Sequence, residues 1–136
     1  MIVEHRDYRR LRGYKYQTLA PVSIQTPYRP DKLLTSSMFW VALNEQGWLT
    51  VRRGYCWDGP SGPSVDTDSF MRGSLFHDAL YQLLREGQLR DEGTDRRIAD
   101  ELLRDVCRAD GMSRFRAWYV YRTLRMAGGK AARRQK

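Results

Sequence analysis

Residues 72–84 read RGSLFHDALYQLL, and the reading of the fold starts there. Leu75, Leu80 and Leu84 recur on one side of an amphipathic helix. His77 and Asp78 sit side by side in its middle, and Tyr81 follows His77 by one turn. An imidazole and a carboxylate are costly to bury on a face otherwise made of leucine. Three reasons would justify the pair: a catalytic base, a metal ligand, or a buried polar contact that is simply satisfied.

Toward the C-terminus the helical period continues. The first helix is expected from near Ser69 to about Glu86, stopped by Gly87. A second is expected with Thr94 as N-cap, ending before Gly111, and a third with Ser113 as N-cap, ending at Gly128 and Gly129. On a wheel of about 100° per residue, Ile98, Ala99, Leu102, Leu103, Val106, Cys107 and Ala109 share one half of the second helix. Asp100 falls at the border of that half, beside Cys107. It is the acid of this helix poised at the core edge, and antiparallel packing of the first two helices would let it approach His77. Leu102 and Leu103 are both expected in the core. The third helix interleaves Trp118, Tyr119 and Tyr121 with Arg114, Arg116, Arg122 and Arg125. Such a pattern suits single-stranded nucleic acid, but the expectation is aromatics packed inward and arginines in water.

Toward the N-terminus the period changes. Residues 58–68, DGPSGPSVDTD, have turn formers and no periodicity, and read as a loop. Before it, strands are expected at 14–19, 22–26, 38–43 and 48–53, rich in Val, Tyr, Trp and Thr. Asn44-Glu45-Gln46-Gly47 reads as a hairpin loop between the last two. Pro21, Pro27 and Pro30 keep the earlier strands short or at an edge. The fold class that follows is α+β: a small N-terminal antiparallel β-sheet and a three-helix C-terminal half in one domain, residues 1–129.

Composition sets limits. At 136 residues and 41% hydrophobic, the chain supports one modest core. No apolar run approaches the ~20 residues of a membrane-spanning helix. Residues 1–10, MIVEHRDYRR, carry acids and no apolar stretch, so a secretory signal is not expected and the chain should be cytosolic when made. Two cysteines, Cys56 and Cys107, make neither a disulfide framework nor a zinc finger. The net charge of +8 includes a basic tail, KAARRQK at 130–136, expected to be disordered. Such an excess suits nucleic acid, anionic lipid or an acidic protein.

The motif string Gly54-Tyr55-Cys56-Trp57-Asp58-Gly59-Pro60-Ser61, His77-Asp78-Ala79-Leu80-Tyr81, Arg96-Arg97-Ile98-Ala99-Asp100 and Tyr119-Val120-Tyr121-Arg122 resembles a domain of unknown function in small proteins of tailed phages and prophages. The resemblance covers nearly the whole chain in order. It implies a phage or prophage origin and supplies no established activity. The expectation built on it is a bacteriophage virion or tail-assembly protein, working with other phage structural proteins, made in the host cytoplasm and carried in the virion.

More distantly, the order of loop, His-Asp-x-x-Tyr helix and Asp-bearing helix is similar to phospholipase A2. That resemblance implies His77 as the base that activates water, Asp100 as its orienting partner and Tyr81 as the support of Asp100. It also implies a calcium ion held by Asp78 and by backbone carbonyls near Trp57, Gly59 and Gly62. Pro60, Pro63 and Asp58 depart from the enzyme's loop. A non-enzymatic phage component with a phospholipase-A2-like helical pair is therefore the first expectation, and a calcium-assisted ester hydrolase the alternative.

Overall fold

The computed structural model describes residues 8–10, 16–57, 68–90 and 93–127. The loop at 58–67, with Asp58, Gly59 and Gly62, and the expected tail at 130–136 lie outside the described residues.

The architecture is α+β, with antiparallel strands before three helices. The strands form two small sheets rather than one. β1 (Tyr8–Arg10), β2 (Tyr16–Thr18) and β7 (Cys56–Trp57) make the first, in the order β1-β2-β7. β3 (Val22–Gln25), β4 (Leu34–Thr35), β5 (Val41–Leu43) and β6 (Trp48–Val51) make the second, in the order β3-β6-β5-β4. Alternation decides which side chains face inward. Leu43 and Val41 on β5, and Leu49 and Val51 on β6, are fully buried.

The β5–β6 hairpin turns where expected. The Asn44 side-chain oxygen accepts from the backbone N–H of Gln46 at 3.0 Å and of Trp48 at 2.9 Å. Gly47 takes φ +88°, and a Cβ there would strike the Tyr28 carbonyl and the Arg29 guanidinium. The expected strand at 38–43 is shortened to Val41–Leu43. Its first half is a tight turn, because Leu34 pairs with Leu43 and the chain must double back between them. The Ser36 N–H donates to the Val41 carbonyl at 2.9 Å, and the Ser36 hydroxyl accepts the Val41 N–H at 2.9 Å. The turn forces Met38 and Phe39 to φ +57° and leaves both exposed.

α1 (Asp68–Arg85) is buried on nearly every side rather than amphipathic. Leu75, Phe76, Ala79, Leu80 and Leu83 are inaccessible. Its remaining polar stripe is Asp78, Gln82 and Arg85, spaced i, i+4, i+7. α2 (Thr94–Ala109) packs against it. Gly73 approaches Leu103 and Cys107, whereas Tyr81 meets Asp100, so the two helices run antiparallel. A Cβ on Gly73 would lie 2.7 Å from Cys107 Sγ.

The buried face of α2 is Ala99, Asp100, Leu103, Val106 and Cys107. It is rotated from the expected one, so that Asp100 lies inside it while Leu102 is half-buried and Ala109 exposed. Thr94 does not cap α2; the preceding Gly93 occupies that position with φ +91° and no side-chain hydrogen bond. α3 (Arg114–Ala127) is capped as expected, with the Ser113 hydroxyl accepting from Arg116 N–H at 3.2 Å.

Two apolar clusters result. The larger joins the second sheet to α1, and the smaller joins Phe70, Leu103, Cys107, Met112, Ala117 and Val120 among the helices. Both cysteines are free.

Candidate functional site

Asp100 is fully buried. A carboxylate taken out of water loses several kcal/mol of solvation unless donors replace the lost hydration. Donors come from α1 and α3, and α2 itself adds an ion pair. From α1, the Tyr81 hydroxyl donates to Oδ1 at 2.6 Å and His77 Nε2 lies 2.8 Å from the same oxygen. From α3, Arg125 Nη1 donates to Oδ2 at 2.9 Å. From one turn earlier on α2 itself, Arg96 Nη1 forms an ion pair with Oδ2 at 3.7 Å. Burial by itself would raise the Asp100 carboxyl. The hydrogen bonds from His77 and Tyr81, the charge of His77 and the bond from Arg125 outweigh it and hold the carboxyl below the usual range.

The ionised carboxylate fixes the imidazole tautomer. Oδ1 is an acceptor, so the ring proton of a neutral His77 sits on Nε2 and the lone pair on Nδ1. The ring stacks obliquely on Tyr81, with centroids 4.1 Å apart. This is the arrangement of an oriented base. It is also that of a satisfied core histidine, since His77 is only 7% exposed. Tyr81 is pushed up from the ordinary tyrosine value by burial and then by its bond to the Asp100 carboxylate. Its hydroxyl therefore stays a donor.

Asp78 and Trp57 lie elsewhere. They line a cavity of about 580 Å³ together with Trp40, Tyr55, Gln82 and Arg85, on the polar stripe of α1. His77 is not among the residues that line it. Beside this cavity the Tyr55 hydroxyl donates to Gln82 Oε1 at 3.0 Å, and Gln82 Nε2 donates to Glu86 at 2.9 Å. Trp57 Nε1 donates to the Ser74 hydroxyl at 3.2 Å. Calcium takes six to eight oxygen ligands. The cavity offers one carboxylate, Asp78, and a guanidinium, Arg85. Among the described residues no three His, Cys, Asp or Glu side chains group as metal ligands. The described side chains alone do not make up a calcium shell. Gly59 and Gly62, the other expected contributors, lie outside the described residues.

Of the expected site residues, His77, Asp100 and Tyr81 thus converge on one point, and Asp78 and Trp57 on another. Arg125 is the member the sequence concealed, because it belongs to a run of arginines whose others point to water or to rings. Arg96 was legible as an i, i+4 partner of Asp100. Arg72 pairs with Asp110 through two bonds of 3.0 and 2.8 Å.

The expected burial of the third-helix aromatics is reversed. Trp118 and Tyr119 are exposed and Tyr121 half-buried, while Ala117, Val120 and Leu124 face the core. No family model, no curated protein and no solved structure matches this chain.

Proposed function

We propose that the chain is a non-enzymatic component of a tailed-phage particle or of its assembly, as its motif string implies, and that the His77–Asp100 pair serves as a structural lock. One observation carries this reading: the two oxygens of Asp100, itself on α2, are shared between donors from α1 and from α3, with Arg96 of α2 as a longer ion pair. A catalytic dyad needs its acid to orient one imidazole. This carboxylate also closes α3 onto α1 and α2, which is the work of a core fastener.

The alternative is ester hydrolysis by His77 as a general base. It is favoured by the Nε2 anchorage, which leaves the Nδ1 lone pair for a water proton.

The two are separated by assaying purified protein on a panel of short-chain and mixed-lipid esters at about pH 7–8, with millimolar calcium and with chelator. A fastener predicts no turnover in either condition and a melting midpoint indifferent to calcium. Turnover that falls by ~10²-fold or more in a folded His77→Gln variant would establish the hydrolase instead. A parallel count of the chain in purified particles tests the phage assignment: a fixed stoichiometry is expected, and absence from particles together with normal assembly after gene deletion would refute it.

A further inference from the structure

The outer face of α3 is built like a binding surface. Phe115, Trp118, Tyr119, Arg122 and Met126 fall at i, i+3, i+4, i+7 and i+11, one stripe of about 16 Å along the helix. The apolar members are 53–83% exposed, while Arg114 and Arg122 flank them in solvent. The rings are already arranged: Phe115 and Trp118 are 6.2 Å apart, and the Arg122 guanidinium lies 5.9 Å over the Trp118 ring.

Charge says what kind of partner this face meets. The chain has 24 basic and 16 acidic residues. Every acid lies at or before Asp110, where sixteen bases cancel them. The eight bases after Asp110 have no acid among them, so the whole +8 resides in residues 111–136. On α3 itself Arg114 and Arg122 are exposed and the helix has no acid, so a second copy would bring like charge to this face. An anionic partner is attracted.

The apolar chemistry narrows the class. A helix that lies in a lipid interface turns a continuous apolar face of Trp, Phe and Leu to the acyl chains and keeps its bases on the opposite face, whereas Arg122 stands within this stripe. Here Ala117, Val120 and Leu124 face the core, and Met126 is the one exposed aliphatic among the described residues of α3 beyond threonine. What the face offers is planar rings and guanidinium groups, the pair that stacks on unpaired bases and neutralises phosphates. We propose that the outer face of α3 binds single-stranded nucleic acid, with Trp118 and Tyr119 stacking on bases and Arg114 and Arg122 on the backbone. The proposal is independent of whether His77 is catalytic.

The test is fluorescence anisotropy of the full chain with a labelled oligothymidylate of about 16 nucleotides, against a duplex of equal length, inorganic polyphosphate and phosphatidylserine vesicles. Tighter binding to the single strand than to duplex or polyphosphate is expected. Trp118→Ala and Tyr119→Ala should each weaken it by roughly 5- to 150-fold, the range for loss of one stacked base. Their melting midpoints should hold, because neither ring is buried. If Trp118→Ala unfolds the chain, Phe115→Ala and Arg122→Ala carry the test. Arg122→Ala should flatten the dependence of log affinity on log salt by about 0.7. Absence of oligonucleotide binding overturns the proposal. So does equal affinity for polyphosphate with aromatic variants unaffected, which would mean charge alone. Binding to the vesicles without the oligonucleotide would assign the face to lipid, and dimerisation abolished by Phe115→Ala without oligonucleotide binding would assign it to a second copy.

Discussion

Replacing Asp100 by Leu keeps the branched shape of the side chain, with bulkier methyl groups in place of the oxygens, and removes the acceptor on which the helices converge. The Tyr81 hydroxyl and the His77 ring nitrogen, both buried, then lose their partner, and Arg125 and Arg96 lose their anion. Removing one member of a buried ionic network costs about 3–5 kcal/mol. Arg125 is about a quarter exposed and can turn to water, which keeps the loss near 4 kcal/mol rather than beyond that range. For a chain of 136 residues each kcal/mol lowers the melting midpoint by roughly 3–5 °C. The variant should therefore melt about 12–20 °C lower, measured by circular dichroism alongside urea titration.

The sharper test is a change of sign. In the native background Tyr81→Phe deletes a hydrogen bond to a carboxylate and should cost about 1.5–3 kcal/mol. In the Asp100→Leu background it deletes an orphaned hydroxyl and should be neutral or stabilising. A loss below about 1 kcal/mol for Asp100→Leu, or an equal cost of Tyr81→Phe in both backgrounds, would refute the shared-carboxylate account.

Other expectations follow from burial and charge. Because folding holds the Asp100 carboxyl below its usual value, its contribution is whole above the unfolded value of about 4 and is lost as pH falls through the folded one. The carboxyl's share of the difference in melting midpoint between native protein and Asp100→Leu should thus shrink as pH falls below about 4. Leu103→Ala should cost ~2–5 kcal/mol by urea titration, and Leu102→Ala, half-buried, under half as much; equal losses would contradict the packing of α2. Burial, with Asp110 nearby, pushes the Cys107 thiol up to about 12, so a thiol reagent at neutral pH should label Cys56 in the native state and Cys107 only after unfolding.

The helices and the dyad were legible in the sequence because their signals are local. Gly87, Ser113 and the 3.6-residue period mark ends and faces by themselves, and Asp100 was placed near His77 by assuming only antiparallel neighbours. The Asn44–Gly47 hairpin was legible for the same reason, since its geometry is held by the Asn44 side chain and Gly47. The division into two sheets was not. β4 and β7 have two residues each, too few to show alternation, and β7 exists through β2, far back in the chain. Arg125 was hidden because its neighbours Arg122 and Arg116 have the same composition and different destinations. The outward turn of Trp118 and Tyr119 was missed because hydrophobicity is a poor guide where a helix has more aromatic rings than the core beneath it has room for.

Gly73 gives the dyad its spacing without touching it. With no Cβ it lets α1 settle against Cys107 and the Leu103 carbonyl one turn before His77. The distance between the helix axes at that crossing sets how far the imidazole must reach to Asp100. A methyl group at 73 would act as a shim between the helices, opening the gap by a few tenths of an ångström and lengthening the 2.8 Å contact in proportion. Positions 73 and 107 therefore share a single allowance of volume, and an alanine at 73 is tolerable only beside something smaller than cysteine at 107.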